Sequence, residues 1–293
     1  MAVTAYHDTF ERRVVLRGHL ILLSGLHVGS GRSLAPSASE LPVMKDGSGR
    51  PFIPGSSLKG VVRSSVEAFL RGVQKPGMML ACYPVGGDAG TTGGPCISAE
   101  RMEQWRDAVR RGDRTWSDLD REVWEASCWT CRAFGSPWLA ARFSFSDLTI
   151  SSPWAPELLA VRDGVAIDRE TETAASRLKF DLEVVPAGTR FRLEVVAENP
   201  QDHELGMLVL GMDMISEGLA FLGGQKSRGL GRVRIVTDEV VQWTPQAVLA
   251  SLQEGRGLQQ AAPTAQDQAQ VEQQLSEWRK ALWEELEKAL NGR

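Results

Sequence analysis

The chain has 293 residues and a formal charge of −4, with 42% hydrophobic and 24% charged residues. These are ordinary proportions for a globular protein of one or two domains, and the net charge excludes bulk basicity as a mark of nucleic-acid binding. No apolar run approaches a membrane span and the N-terminus lacks an apolar signal core, so with four cysteines the expected compartment is a reducing cytoplasm, with no membrane partner.

Charge is unevenly spread along the chain. Arg50 to Lys75 holds five basic residues against one acid, and Gly223 to Ile235 holds four against none. Residues 12–24, "RRVVLRGHLILLS", alternate and predict a strand. A Gly/Ser loop, "GLHVGSGRS", and a polar segment to Glu40 follow. Next come a short strand, a "DGSG" turn and a helix opened by "PFIPGSS", with Ser56 or Ser57 as its N-cap. Leu58, Val62, Ser65 and Phe69 share one face of that helix, and Lys59 and Arg63 another. Residues 77–100 read as a Gly-rich loop, and Ser98 to Ala126 as helix with a break near Gly112. "ARFSFSDLTI" and "TRFRLEVVAE" are strands, separated by a polar excursion of weak periodicity suited to a β-hairpin. Asp202 to Leu222 is a helix with Leu205, Leu208, Met212, Ile215, Leu219 and Leu222 inward, and "RVRIVTDEVV" is a last strand.

Stripped of insertions the order is β-α-β-β-α-β, an α+β chain on the ferredoxin-like plan that RNA-recognition modules also use. A linker over 246–265 and an amphipathic helix over 266–293 follow, the helix striped by Val271, Leu275, Trp278, Leu282 and Leu286. That stripe needs a surface to bury against.

The stretch "GGQKSRGLGRVRI" mixes glycines with cations, as a phosphate site does. A P-loop or a dinucleotide fingerprint needs a strand before and a helix after, and here the order is inverted. An extended polynucleotide backbone suits it better; a C-cap followed by a solvated turn is the plain alternative. "SGLHVGSGRS" and "IPGSSLKG" are two further phosphate-suited segments, the second opening a helix.

Cys82, Cys96, Cys128 and Cys131 are all the cysteines. The "CWTC" spacing lets two thiolates reach one ion, and the loop between Cys82 and Cys96 is flexible enough to bring those two together. Four protein thiolates make a closed, structural Zn²⁺ site anchoring an insertion over 77–135. A redox pair is the competing reading, but no thioredoxin-like strand and helix surround it; four free buried thiols is the other.

Taken together, "GLHVGSG", "LPVMKDGSGRPFIPGSSLKGVVRS", "RAFGS" and "FLGGQKSRGLGRV" resemble the RAMP superfamily of CRISPR-associated proteins. The likeness runs from about Leu16 to Val241 and is nearest the repeating backbone subunit of type III interference complexes, with subtype III-D the nearer branch. The resemblance implies an RRM-like palm over 12–245 that stacks along CRISPR RNA beside copies or paralogues of itself and other effector subunits. It implies a thumb hairpin over 156–186, around Arg162, Arg169, Thr171 and Lys179, that wedges the guide–target duplex. Guide contacts would fall on His27, Gly29, Ser30, Ser56, Ser57, Lys59, Arg63, Lys226, Arg228 and Gly229. Target RNA is cut in the family with a divalent metal, Mg²⁺ or Mn²⁺, and an aspartate in the loop after the first strand. Here that position is Glu40, which keeps the charge and adds a methylene, so cleavage is left open; Asp46 is nearby in the turn. A stand-alone, metal-independent endoribonuclease of the same superfamily, processing precursor RNA with His27 as base, is the alternative.

Overall fold

The structure, a computed structural model, describes residues 9–31, 39–84, 93–167, 174–255, 257, 264, 265 and 267–292. Strand β1 (Arg13–Leu22) turns Val14, Leu16, Leu20 and Leu22 into the core and Arg13 and Arg17 outward, as its alternation requires. After it come β2 (Phe52–Ile53) and α1 (Gly55–Val73). The insertion supplies α2 (Ala99–Arg110), α3 (Trp116–Ala126) and α4 (Trp129–Phe134). Then follow β3 (Phe143–Phe145), β4 (Leu148–Thr149), β5 (Ala160–Ile167), β6 (Ala174–Val184) and β7 (Arg190–Glu198). Last are α5 (Asp202–Ser216), β8 (Val233–Trp243), α6 (Pro245–Gln253), β9 (Thr264–Ala265) and α7 (Gln268–Asn291).

The main sheet runs β3-β7-β1-β8-β9 and is antiparallel throughout. Its first four strands are the second, third, first and fourth of the β-α-β-β-α-β order, so the central pair is non-consecutive in the chain. Helices α1 and α5 contribute Leu58, Val62, Leu205 and Leu208 to the main core, with the inward faces of β1 and β7. Strand β8 carries a bulge opposite Arg17 and Gly18 of β1, and a Cβ on Gly18 would lie 1.9 Å from the Val236 carbonyl oxygen. No helix among the described residues is long and apolar enough to cross a membrane.

Several local expectations need correction. Helix α1 starts at Gly55 with Pro54 as N-cap, and neither Ser56 nor Ser57 caps it. Asp147, in the turn between β3 and β4, accepts a hydrogen bond from the Gly55 amide at 2.8 Å instead. Only glycine fits there, because a Cβ would sit 2.1 Å from the Phe145 carbonyl oxygen. The 98–126 helix is two helices: Ser98 caps α2, Gly112 takes φ +80° between them, and Thr115 closes a capping box with Asp118. Helix α5 ends at Ser216, six residues short of Leu222, and Leu219 is 74% exposed. The stop is Gly218 at φ +77°, over which the Arg232 guanidinium lies where a Cβ would be. Helix α6 occupies the first part of the expected linker, capped by Thr244 with Pro245 in its first turn.

The C-terminal stripe finds its surface within this chain. Val271, Leu275, Trp278, Leu282 and Leu286 are all buried, with α7 lying on α5. Gly206 permits the close approach: a Cβ there would be 2.3 Å from the Trp278 carbonyl oxygen. Arg279 pairs with Asp213 across the two helices at 2.8 Å.

Candidate nucleic-acid interface and metal centre

Two of the three glycine-rich segments meet. The loop after β1 and the loop before β8 are stitched by Gly224 N–H to the His27 carbonyl (2.8 Å) and Gly231 N–H to the Gly25 carbonyl (2.9 Å). A Cβ on Gly223 would be 2.4 Å from the His27 carbonyl oxygen, so this contact demands glycine, and φ +76° favours it too. His27 is 7% exposed, and its Nδ1 donates to the Glu183 carbonyl at 2.9 Å. That leaves the lone pair on Nε2, beside Gly29. Gly29 bridges Val43, and the Ser30 amide donates to Pro42 at 3.0 Å.

Lys226 and Arg228 form a single 3-10 turn on the rim of this junction and are exposed. Gln225, at φ 58°, and Gly229, at φ +81°, bracket the turn in the left-handed region. Arg228 donates to Gln225 at 3.0 Å and lies over the Phe180 ring. Lys226 has no partner among the described residues.

The polar excursion is the hairpin β5–β6, paired from Ala160↔Val184 to Ile167↔Ala174. Arg162 is exposed at its base, its guanidinium close to Gly25. Arg169 and Thr171 lie outside the described residues, and Lys179 enters through its backbone register with Val165. Sequence reasoning missed Glu183. Its carboxylate accepts from the Val43 amide (3.0 Å) and from Lys45 (2.9 Å), while its carbonyl accepts from His27 Nδ1. The alternation of Leu182 and Val184 around it was the available signal. Glu183 thereby ties the hairpin base to both sides of the loop that carries Glu40. Glu40 is half-buried, next to Leu41, whose amide donates to the Asp181 carbonyl at 3.0 Å. Asp46 serves its own turn: Oδ1 accepts from the amides of Ser48 and Arg50, each at 2.9 Å.

The third segment is used differently. Lys59 donates to the Phe143 carbonyl at 2.9 Å, and burial, then the nearby Arg63 charge, holds its ammonium below its ordinary pKa. Ser56 is exposed and Ser57 half-buried. Arg63 points at the cysteines: it donates to Glu67 (2.7 Å), to the Gly135 carbonyl (2.9 Å) and toward the Cys131 sulfur (3.8 Å). Burial opposes its charge, but Glu67 and, after it, Cys131 and Cys128 together raise its pKa.

The four cysteines converge, all buried and unbridged, with their sulfurs within 4.8 Å of one another. Cys82 and Cys131 are 3.6 Å apart. Tetrahedral Zn–S bonds of about 2.3 Å put sulfurs roughly 3.8 Å apart, so the spacing fits four ligands of one ion. Cys128 opens α4 and Cys131 lies one turn on, so the short helix aims both sulfurs one way. Hydrogen bonds from Cys131, then Cys82 and Cys96, hold the Cys128 thiol low, while its bond to Cys128 pushes Cys131 up. Arg63 lies beside the cluster, its guanidinium 3.8 Å from the Cys131 sulfur. Among the described residues it is the one group of metal-ligating side chains close enough to hold an ion.

This is a mixed α/β protein with an antiparallel sheet, whose glycine-rich, basic loops close on each other at one edge beside a projecting hairpin. The chain belongs to the RAMP superfamily, which matches residues 19–234. It is similar to the "CRISPR system Cms endoribonuclease Csm3" of Methanothermobacter thermautotrophicus, with 26% identity over 76% of this chain and 84% of that protein. Proteins of the same name from Methanocaldococcus jannaschii (24%; 77% of this chain, 79% of the relative) and Enterococcus italicus (25%; 78% and 92%) are also similar. The resemblance seen in the motifs, to a type III CRISPR-associated RAMP protein, is borne out.

Proposed function

We propose that this chain is a guide-RNA-binding backbone subunit of a type III CRISPR effector. The observation that carries this reading is the junction of the His27 and Gly223–Gly231 loops, which presents Lys226 and Arg228 outward beside the hairpin base. A partner that must accept any guide sequence is best held by its phosphates, and exposed cations on a glycine-shaped backbone do that without reading bases. In this reading the β-α-β-β-α-β body is the palm, over 12–245, and β5–β6 is the thumb that wedges the guide–target duplex, through Arg162 and the segment with Arg169, Thr171 and Lys179.

Ser30, Gly29, Ser56 and Gly229 line the guide path. His27 acts chiefly by fixing the loop, because its Nδ1 is already committed to Glu183. At 7% exposure His27 is withdrawn from an incoming RNA, which disfavours metal-independent processing of precursor RNA. Lys59 and Arg63 support the site from beneath rather than touching the guide, since both are bonded internally. The four cysteines hold structural Zn²⁺ and stabilise the 77–135 insertion. The similar proteins are named endoribonucleases, and in this reading Glu40 is the carboxylate that would serve target cleavage.

The test is co-expression of the chain with a CRISPR array, followed by purification and extraction of RNA. Guide RNA of defined length should copurify at a fixed number of nucleotides per chain. Lys226→Gln/Arg228→Gln should lower retention in rising salt, the slope of log K against log[salt] falling by about 1.4 for two single-strand contacts. A chain that purifies folded and free of RNA would overturn the proposal.

A further inference from the structure

The face of the main sheet turned away from α1 and α5 is divided by charge. Toward the start of β1 its cations are paired: Arg13 with Glu198, and Arg17 with Glu194 (2.9 Å) and Glu239 (3.1 Å). Toward the end of β1 they are not. Ile21 is flanked across the ladder by Arg190 on β7 and Arg234 on β8, and His19 by Arg192. Residues directly opposite in a ladder point to the same side of the sheet, so these three arginines share the face. All three are exposed, and none has an acidic partner among the described residues.

One carboxylate, Asp238, lies in this zone, and it is bound to His19 Nδ1. The bulge places it there: Arg17 pairs with Glu239 and Gly18 with Thr237, so Asp238 is the extra residue of the bulged strand. The bulge needs Gly18, where any Cβ would strike the Val236 carbonyl. Asp238 is thus hydrogen-bonded to the histidine and to none of the three arginines.

We propose that this arginine zone binds the phosphodiester backbone of single-stranded RNA, as a continuation of the strand held by the glycine-rich loops. This rests on the RNA-binding reading above and extends it to a second surface. Three observations favour RNA over a protein. Leu22 and Val233, the last and first residues of β1 and β8, pair at the edge where both loops leave the sheet, so the two basic surfaces are contiguous. The zone carries cations with no interleaved acid except the one already occupied, which complements a polyanion rather than a mixed protein surface. The outward residues here are His19, Ile21, Arg190, Arg192, Arg234 and Val236, with no Phe, Tyr or Trp to stack a base and the one imidazole already bonded to Asp238. Contact is therefore with phosphates and blind to sequence, unlike the base-stacking use of this face in RNA-recognition modules.

The test measures salt-dependent affinity of the full chain for two oligouridylates, one of about 5 nucleotides and one of about 15, spanning common single-strand site sizes. Arg190→Gln/Arg192→Gln/Arg234→Gln should lower the slope for the long RNA by about 2, from three contacts at about 0.7 each, and leave the short RNA unchanged. Ile21→Lys, which adds a cation to the same zone, should raise the long-RNA slope by about 0.7, a gain that misfolding cannot mimic. An unchanged slope with the triple variant overturns the proposal, as does equal loss on both lengths. Loss of self-association with an unchanged slope assigns the face to a protein partner and overturns it as well. Lys226→Gln/Arg228→Gln should weaken both lengths; a failure confined to that variant tells against the loop site and leaves this one standing.

Discussion

Replacing Cys131 with alanine should unfold the cysteine insertion and leave the sheet intact. The insertion, with Leu139 just beyond it, forms a small core of nine buried residues separate from the main one, and four of the nine are the cysteines. The other five are Ile97, Met102, Leu119, Val123 and Leu139. At about 1.5–3 kcal/mol for each fully buried side chain, they contribute roughly 8–15 kcal/mol. A structural zinc contributes about 10–16 kcal/mol in small zinc domains near neutral pH, so an ion bound by these cysteines would supply on the order of half of what holds the insertion together. Cys131 is 1% exposed and central to the cluster, so the remaining three thiols are left without their fourth partner. Mass spectrometry of the native protein should find one zinc per chain, absent from the variant. Hydrogen exchange should then show lost protection across α2, α3 and α4, with β1, β7 and β8 still protected. Wild-type protein free of metal, or a variant whose α2–α4 amides stay protected, would refute the reasoning.

Three further expectations follow from particular contacts. With Mg²⁺ and a complementary RNA, Glu40→Ala should lose cleavage while Glu40→Asp keeps or raises it; equal products from all three proteins would remove Glu40 from the chemistry. Gly206→Ala puts a methyl into the Trp278 backbone and should destabilise the fold by about 1–3 kcal/mol in urea unfolding, by forcing α7 off α5. Burial holds the His203 imidazole, which packs on Trp129, below its ordinary 6.5. The unfolded chain therefore takes up a proton as pH falls through about 6.5 and the native chain does so only at lower pH, so stability should drop over that interval. His203→Gln should flatten the drop; an unchanged pH slope in unfolding midpoints would show that His203 does not produce it.

Much of the body was legible because periodicity reports burial directly. The alternation in β1 and β7 and the 3.6-residue stripe of α7 each say which side must leave water, and those sides are buried here. Where the local pattern was silent or ambiguous, neighbours distant in the chain decided. Leu219 continues the α5 stripe, yet Arg232 lies over Gly218 and the helix stops before it. Ser56 and Ser57 look like caps, yet Asp147 reaches the Gly55 amide first.

The same division runs through the candidate site. Its residue types are matters of sequence: the glycines that permit close backbone approach, the cations, and four cysteines suited to one ion. How they combine was decided by the tertiary structure. His27 and Glu183 are 156 residues apart, and no local preference pairs them. Arg63, which shares a helix face with Lys59, turns out to brace the cysteines, because α1 packs beside α4. Sequence alone determined the alternating strands, the stripe of α7 and the chemistry carried by its loops, since these rest on side-chain type and spacing. Only the folded chain decided which loops touch, which cations stay free and what each helix covers, because those depend on sheet order and on contacts between segments far apart in the chain.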